Sequence, residues 1–310
     1  MEHFHGVYNY YGDDSDYSAS SDEGESWLTI LQRIKENDRY AQELDTDSYD
    51  YNSIDNMTDE GWEELGRDIS NNTHLETVSL HEGALDNHKM RCFFRGLMKS
   101  SSINEFHLHD NELSISVVRS MVPFLQNADN LTYLDLDGNG IQTKGFNMLF
   151  RALRNRPIEK LHCDGCGIES IDIDSEHMPH NFEFLHLSGN GISTDGCRGL
   201  AKLLQGDNST LRELWLSENE IDDEGVEILV DALQNNTSLE TLNLRDNEIS
   251  VEGMKACLRL VNDISSINAT LQTNHTLTSL HVKEIPYVSL GINDEIQNHI
   301  DIHSEFLAGL

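Results

Sequence analysis

Residues Leu211–Ser238, LRELWLSENEIDDEGVEILVDALQNNTS, are followed at once by a second copy, LETLNLRDNEISVEGMKACLRL, starting at Leu239. Copies also begin at Leu75, Ile103, Leu131, Ile158 and Phe182, with a fainter one at Leu277. The starts from Leu75 to Leu239 lie 28, 28, 27, 24, 29 and 28 residues apart. A fixed period of this length means stacked supersecondary units, each unable to bury its apolar face without its neighbours.

Within one copy the hydrophobic period changes. In Leu131–Ile141, LTYLDLDGNGI, the run Tyr133-Leu134-Asp135-Leu136-Asp137 alternates with period two, as in a half-buried strand. Leu134 and Leu136 are expected to face inward, with Tyr133, Asp135 and Asp137 outward. A turn carrying Asn139 and Ile141 follows. Leu149 and Leu153 then fall four apart, the spacing of an amphipathic helix. Ser193, Asp222 and Ser250 stand at N-cap positions, with Asp195, Glu224 and Glu252 in first turns that favour acids. Parallel strands stack about 4.8 Å apart, whereas helices are about 10–12 Å wide. The stack must therefore bend, strands on the concave side and helices on the convex side. Crossovers between parallel strands are almost always right-handed. The expected fold class is α/β, a right-handed strand–helix solenoid with a parallel concave sheet and convex helices.

The pattern LxxLxLxxNxI followed by GxxxLxxxL resembles the leucine-rich repeat, in its long-helix, ribonuclease-inhibitor-like subclass, and spans roughly Asp55 to Tyr287. The resemblance implies a horseshoe in which a turn asparagine bonds the neighbouring turn backbones as a ladder. The matching residues are Asn111, Asn139, Asn190, Asn219 and Asn247. Gly83 departs from the pattern, so that end of the ladder should be weaker. A more distant likeness is to the Ran GTPase-activating protein, which joins this repeat type to an acidic segment. That family carries its acid after the repeats, whereas here the acid precedes them, and none of its catalytic residues maps onto this chain.

Four segments are expected. Residues 1–26 are rich in Tyr, Ser, Gly and acid, cannot bury a core, and read as a disordered acidic tail. Ser20 and Ser21 precede Asp22 and Glu23, which leaves a phospho-acceptor or docking role open beside the preferred solubilising one. Residues 27–74 read as an N-terminal capping helix (Trp27, Leu28, Ile30, Leu31, Ile34) and a degenerate repeat. In that repeat Tyr49, Tyr51 and Ile54 suggest a poor strand, and a helix begins at Thr58. Residues 75–287 are the repeats proper. Ile158–Asn181, with Pro179, is expected to have an irregular outer segment. DISSINATLQTNH is expected to add a short helix before a last strand at Leu280–Val282. Residues 288–310 are a C-terminal cap or tail, with a terminal helix expected within Asn293–Phe306.

The formal charge of −34, from 55 acidic against 21 basic residues, repels nucleic acids and anionic membranes and favours a basic protein partner. No apolar run is long enough to span a membrane, and no basic segment leads into an apolar one. The expected location is the cytoplasm, with the nucleus as alternative, the five cysteines reduced, and sequons such as those at Asn208 and Asn236 unglycosylated.

The CDGC at Cys163–Cys166 has no second CxxC to complete a zinc site, and its register makes both thiols structural. No GxxxxGK[ST], HExxH or GxSxG is present, so no catalysis is expected. The outward strand column reads Ser79, His107, Asp135, His162, His186, Trp215, Asn243, His281. The next reads His81, His109, Asp137, Asp164, Ser188, Ser217, Arg245, Lys283. Metal binding by these His and Asp side chains is set aside, because donors on a flat ladder seldom converge; neither metal nor cofactor is assigned. The preferred reading is a protein-binding patch, since Tyr133, Phe184 and Trp215 stand where alternation should place polar groups, and interface hot spots favour Tyr and Trp. The blander reading is that they shield strand backbone. The partner-binding residues are Tyr133, Asp135, Asp137, His162, Asp164, Phe184, His186, Glu213, Trp215 and Arg245, with contacts expected to vary between about pH 5 and 8, where imidazole titrates. Regulation of a GTPase is the alternative function. Ligand sensing like that of innate-immune repeat domains finds no nucleotide-binding domain here to transmit a signal.

Overall fold

In the computed structural model the described residues are 26–49, 54, 56–80, 86–172, 182–205, 210–261, 274 and 276–282. Nine short strands make one parallel sheet in strict sequence order: β1 Glu43–Asp45, β2 Thr77–Ser79, β3 Glu105–His107, β4 Tyr133–Asp135, β5 Lys160–His162, β6 Phe184–His186, β7 Glu213–Trp215, β8 Thr241–Asn243 and β9 Ser279–His281. The helices form the second layer: α1 Trp27–Lys35, α2 Asp59–Asn71, α3 Asn87–Gly96, α4 Ile115–Leu125, α5 Gln142–Ala152, α6 Thr194–Leu204, α7 Asp223–Leu233 and α8 Val251–Val261. This is the leucine-rich-repeat solenoid, with the sheet lining its concave side.

The repeat spacing becomes the strand register. The central residue of each strand (Val78, Phe106, Leu134, Leu161, Leu185, Leu214, Leu242, Leu280) pairs with its counterpart in the next and is buried. A one-residue slip would turn every one of these side chains to the wrong face. Behind them lie the helix stripes and a run of fully buried phenylalanines, among them Phe93, Phe94, Phe124, Phe146, Phe150 and Phe182. Each such ring contributes roughly 1.5–3 kcal/mol by leaving water.

The turn asparagines are tied as a ladder. The Asn139 amide donates to the carbonyls of Leu108 and Leu136 at 2.8 Å and Asp137 at 3.1 Å, and its Oδ1 accepts from the Leu113 N–H at 2.8 Å. Asn190, Asn219 and Asn247 bond alike. Cys166 takes one rung with its thiol, 3.1 Å from the Leu136 carbonyl. Asn111 donates in the same way, but its buried Oδ1 has no partner among the described residues.

The structure corrects the degenerate repeat. The sequence points to Tyr49, Tyr51 and Ile54 for its strand, whereas the strand that pairs with β2 is Glu43–Asp45, where Leu44 supplies the inward side chain opposite Val78. Tyr49 instead packs edge-on against Trp27, ring centroids 5.4 Å apart. Buried Trp27, Ile30 and Ile34 of α1 join the core, while Leu28 is exposed. Ser193 stands at the N-cap of α6 without a side-chain bond, whereas Asp222 caps α7 by accepting from the Gly225 N–H at 2.8 Å.

Between β5 and β6 the described residues hold no helix. The stretch after Ile168 presses instead on α6, where Gly199 leaves room; a Cβ there would collide with the Ile171 carbonyl. The sequence readings for residues 1–25, Tyr51, Gly83, Pro179, the sequon at Asn208, the extra helix within 262–273 and the terminal helix within 293–306 lie outside the described residues, as do His81 and Lys283.

Candidate binding face

Period-two alternation delivers the outward residues to one wall. The strand register places Ser79, His107, Asp135, His162, His186, Trp215, Asn243 and His281 in one column. A parallel column holds Thr77, Glu105, Tyr133, Lys160, Phe184, Glu213, Thr241 and Ser279. Tyr133, Phe184 and Trp215 are half-buried on this common wall.

The rings form a continuous ribbon across five strands. His107 meets Tyr133 edge-on at 4.8 Å, and Tyr133 meets His162 at 5.0 Å. His162 and His186 stack at 4.0 Å with planes 8° apart, and Trp215 follows His186 at 5.2 Å. Lys160 lies between two further rings, its Nζ 5.2 Å from the Phe184 centroid and 6.0 Å from Tyr133. Such cation–π contacts contribute about 0.5–1 kcal/mol at exposed sites. Lys160 was missed from sequence, although the same alternation that found Tyr133 and Phe184 puts it between them. Glu213 accepts from the Trp215 indole N–H at 3.1 Å and fixes that ring.

The carboxylates form the floor beside the ribbon. Asp135 is buried, 8% of its side chain exposed, and its Oδ2 lies 3.4 Å from His109 Nδ1 and 3.8 Å from His107 Nδ1. Asp137 accepts the Asp164 N–H at 2.6 Å, and its other oxygen is 3.9 Å from His162 Nδ1. Asp164 in turn accepts the Ser188 N–H at 2.5 Å. Among the described residues, neither Asp137 nor Asp164 is paired with a lysine or arginine. His107 and His109 stand on this floor without having been among the residues chosen from sequence. Arg245 lies apart, at the turn after β8, where its N–H is held by Asn243 Oδ1 at 3.1 Å.

These surroundings sort the titrating groups. Burial opposes charge on Asp135, but bonds from His107 and His109 outweigh it and hold that carboxyl far below its ordinary range. Burial, then the Asp135 and Asp164 carboxylates, pushes Asp137 up to about 9. Asp164 is raised to about 7, chiefly by burial. His109 is raised by its bond to Asp135; His107 is raised too, its carboxylate contacts outweighing its burial. Burial lowers His162, and burial with the adjacent His162 ring brings His186 down to about 3. Of the four imidazoles, His162 and His186 are therefore harder to protonate than a free ring, since stacked, half-dry imidazoles resist charge, and His107 and His109 are easier.

A leucine-rich-repeat family model matches residues 129–149, 179–201, 207–230 and 235–256. Among curated proteins, the chain is 28% identical to human NACHT, LRR and PYD domains-containing protein 12 over 185 residues, covering 57% of this chain and 17% of that protein. It is 24% identical to bovine NACHT, LRR and PYD domains-containing protein 3 over 224 residues, covering 70% of this chain and 19% of that one. The chain thus spans under a fifth of the length of these relatives. Among solved structures, the yeast Rad7–Elc1 complex matches with a TM-score of 0.52 at 16% identity, over 78% of this chain and 58% of that one, a likeness of fold. Repeat pattern, asparagine ladder, sheet and family match agree: the chain is a leucine-rich-repeat protein.

Proposed function

We propose that the chain is a non-catalytic protein-binding scaffold whose partner docks on the concave wall and is basic. The observation that carries this reading is the ribbon from His107 through Tyr133, His162 and His186 to Trp215, half-buried aromatic surface on a face open to solvent. Rigid aromatic anchors supply large contact area at low entropic cost. The surrounding acid, within a net charge of −34, would steer a basic partner. All five cysteines are buried free thiols, which supports a reducing compartment, the cytoplasm or nucleus. Among the described residues no helix is long and apolar enough to cross a membrane.

Peptide display against the immobilised chain tests the reading. Lys/Arg-rich peptides should be enriched, and their binding should fall at least ~10-fold on the Trp215→Ala/Phe184→Ala variant, as loss of hot-spot anchors requires. Unchanged circular dichroism must accompany the loss. Peptides that bind wild type and variant alike would remove the concave wall from the argument, and enrichment of acidic peptides would remove the basic partner.

A further inference from the structure

Two clusters of metal-ligating side chains occur among the described residues. One is Asp59, His88 and Cys92 on the helix side; the other is Asp135, Asp137 and His162 on the concave wall. In the first, Arg95 donates to the Cys92 thiol at 3.0 Å and Arg91 lies 3.5 Å from His88 Nδ1. The nitrogen facing Asp59 and Cys92 is Nε2, so Arg91 touches the far side of the ring, but the Arg95 guanidinium on the thiol itself repels a cation and makes that cluster a poor metal site.

The second has the opposite surroundings. Asp135 and Asp137 are two apart on one strand and its turn, so both point to the same face, and His162 is the cross-strand partner of Asp135. One ligand atom from each of the three lies within 4.8 Å of the others. The backbone aims both carboxylates: Asp135 Oδ1 accepts the Asp137 N–H at 3.0 Å, and Asp137 Oδ1 accepts the Asp164 N–H at 2.6 Å. The second oxygen of Asp137 lies 3.9 Å from His162 Nδ1, and that of Asp135, which faces His109 and His107, keeps a further lone pair for a cation. In the tautomer carrying hydrogen on Nε2, His162 Nδ1 has one lone pair, and the Tyr133 hydroxyl, 3.3 Å away, turns its hydrogen elsewhere when that lone pair is given to a cation.

We propose that Asp135, Asp137 and His162 bind one zinc-class divalent cation on the concave wall. Imidazole with two carboxylates is a donor set suited to zinc, at bond lengths of about 2.0–2.2 Å, which puts tetrahedral donors roughly 3.4 Å apart. Side-chain rotations of about 1 Å close the observed spread. The carboxylates of Asp135, Asp137 and Asp164 crowd together with no paired lysine or arginine among the described residues, and a cation offsets that repulsion. Asp135 would be oriented by His107 and His109, as outer-shell imidazoles and carboxylates orient ligands elsewhere. Three protein donors leave a position open toward the hollow for water. The convergence that a flat ladder seldom gives arises here because Asp137 sits on the turn, beyond the last pleat of the strand.

The site is tested without any partner, so its fate and that of the docking proposal are separable. The full-length chain, stripped with chelator, is titrated with zinc sulfate by calorimetry in the presence of excess magnesium. A single equivalent should bind, weakened at least ~10-fold by both Asp137→Asn and His162→Gln and unaffected by His88→Gln. Cobalt(II) should give the intense visible bands of a low-coordinate site, lost in the same two variants. Circular dichroism of the metal-free variants confirms folding; should one fail to fold, the other decides. Absence of saturable binding, affinity within about threefold of wild type in either folded variant, or loss of binding in His88→Gln would overturn the assignment.

Discussion

Replacing Asn139 by alanine tests the ladder against a control that the chain itself supplies. Asn139 is buried, and its side chain meets three carbonyls and one N–H. The carbonyls keep other donors: Leu108 keeps Asn111, Leu136 keeps the Cys166 thiol, and Asp137 keeps the Asp110 N–H. The Leu113 N–H is the group left stranded. Stranding one buried amide costs about 1–3 kcal/mol, and the donor bonds lost add about 1 kcal/mol each. The amide has two N–H hydrogens to share among its three carbonyls, so the total for Asn139→Ala is about 3–5 kcal/mol. Asn111 makes the same three donor contacts, but its Oδ1 holds no partner among the described residues, so Asn111→Ala strands no N–H among them. Its cost should be smaller by at least about 1 kcal/mol. Urea unfolding followed by circular dichroism reads both, provided the m-values agree. Equal losses, or a larger one for Asn111, would show that the acceptor half of each rung adds nothing and that the reasoning is wrong.

Asp222→Ala removes the N-cap of α7 and should cost about 1 kcal/mol at pH 7. The bond from Thr194, then the Gly225 N–H, lowers the Asp222 carboxyl, so its contribution is present above the unfolded value near 3.9 and lost as pH falls through the folded one. The gap between wild type and variant melting temperatures should narrow progressively as pH falls below 4; a gap that does not narrow refutes the charge-assisted cap. Gly199→Ala, whose new Cβ meets the Ile171 carbonyl, should cost about 1–3 kcal/mol by overpacking. A melting temperature within a degree of wild type would mean that the segment after β5 yields freely.

Much of this architecture was legible because one steric rule repeats. Alternation assigned Leu134 and Leu136 inward and Tyr133 outward, and identical spacing aligned every copy, so neighbours in a sequence column became neighbours in space. Leu44 was overlooked because its flanks are acidic and it lacks the second inward aliphatic of the repeat, while Tyr49 and Ile54 are bulkier and read more easily as strand. A second set of asparagines was hidden as well. Asn72, Asn236 and Asn274 lie where a helix has ended, and each amide donates to a carbonyl in an earlier repeat: Ile34, Leu204 and Leu233. Each Oδ1 accepts N–H groups at the start of the next strand segment. Asn236, which the sequence shows only as the asparagine of a sequon, is buried, and both ends of its amide are used. Such a partner lies between 32 and 41 residues back, beyond any local pattern.

The chemistry of the concave wall was legible in composition and opaque in state. Sequence put imidazoles and carboxylates side by side but treated them as one acidic, titrating patch. What separates them is which group covers which. Asp135 is enclosed by His107 and His109 and holds its charge, whereas Asp137, one residue beyond the strand's last inward leucine, faces its own kind and resists ionising. His162 and His186 stack on each other and are lowered by burial, while His107 and His109, on β3 and its turn, gain the Asp135 carboxylate and are raised. A wall built this way offers rings along its crest and concentrated acid on its floor. A basic side chain or a cation therefore belongs on the floor, and a partner's apolar surface on the crest.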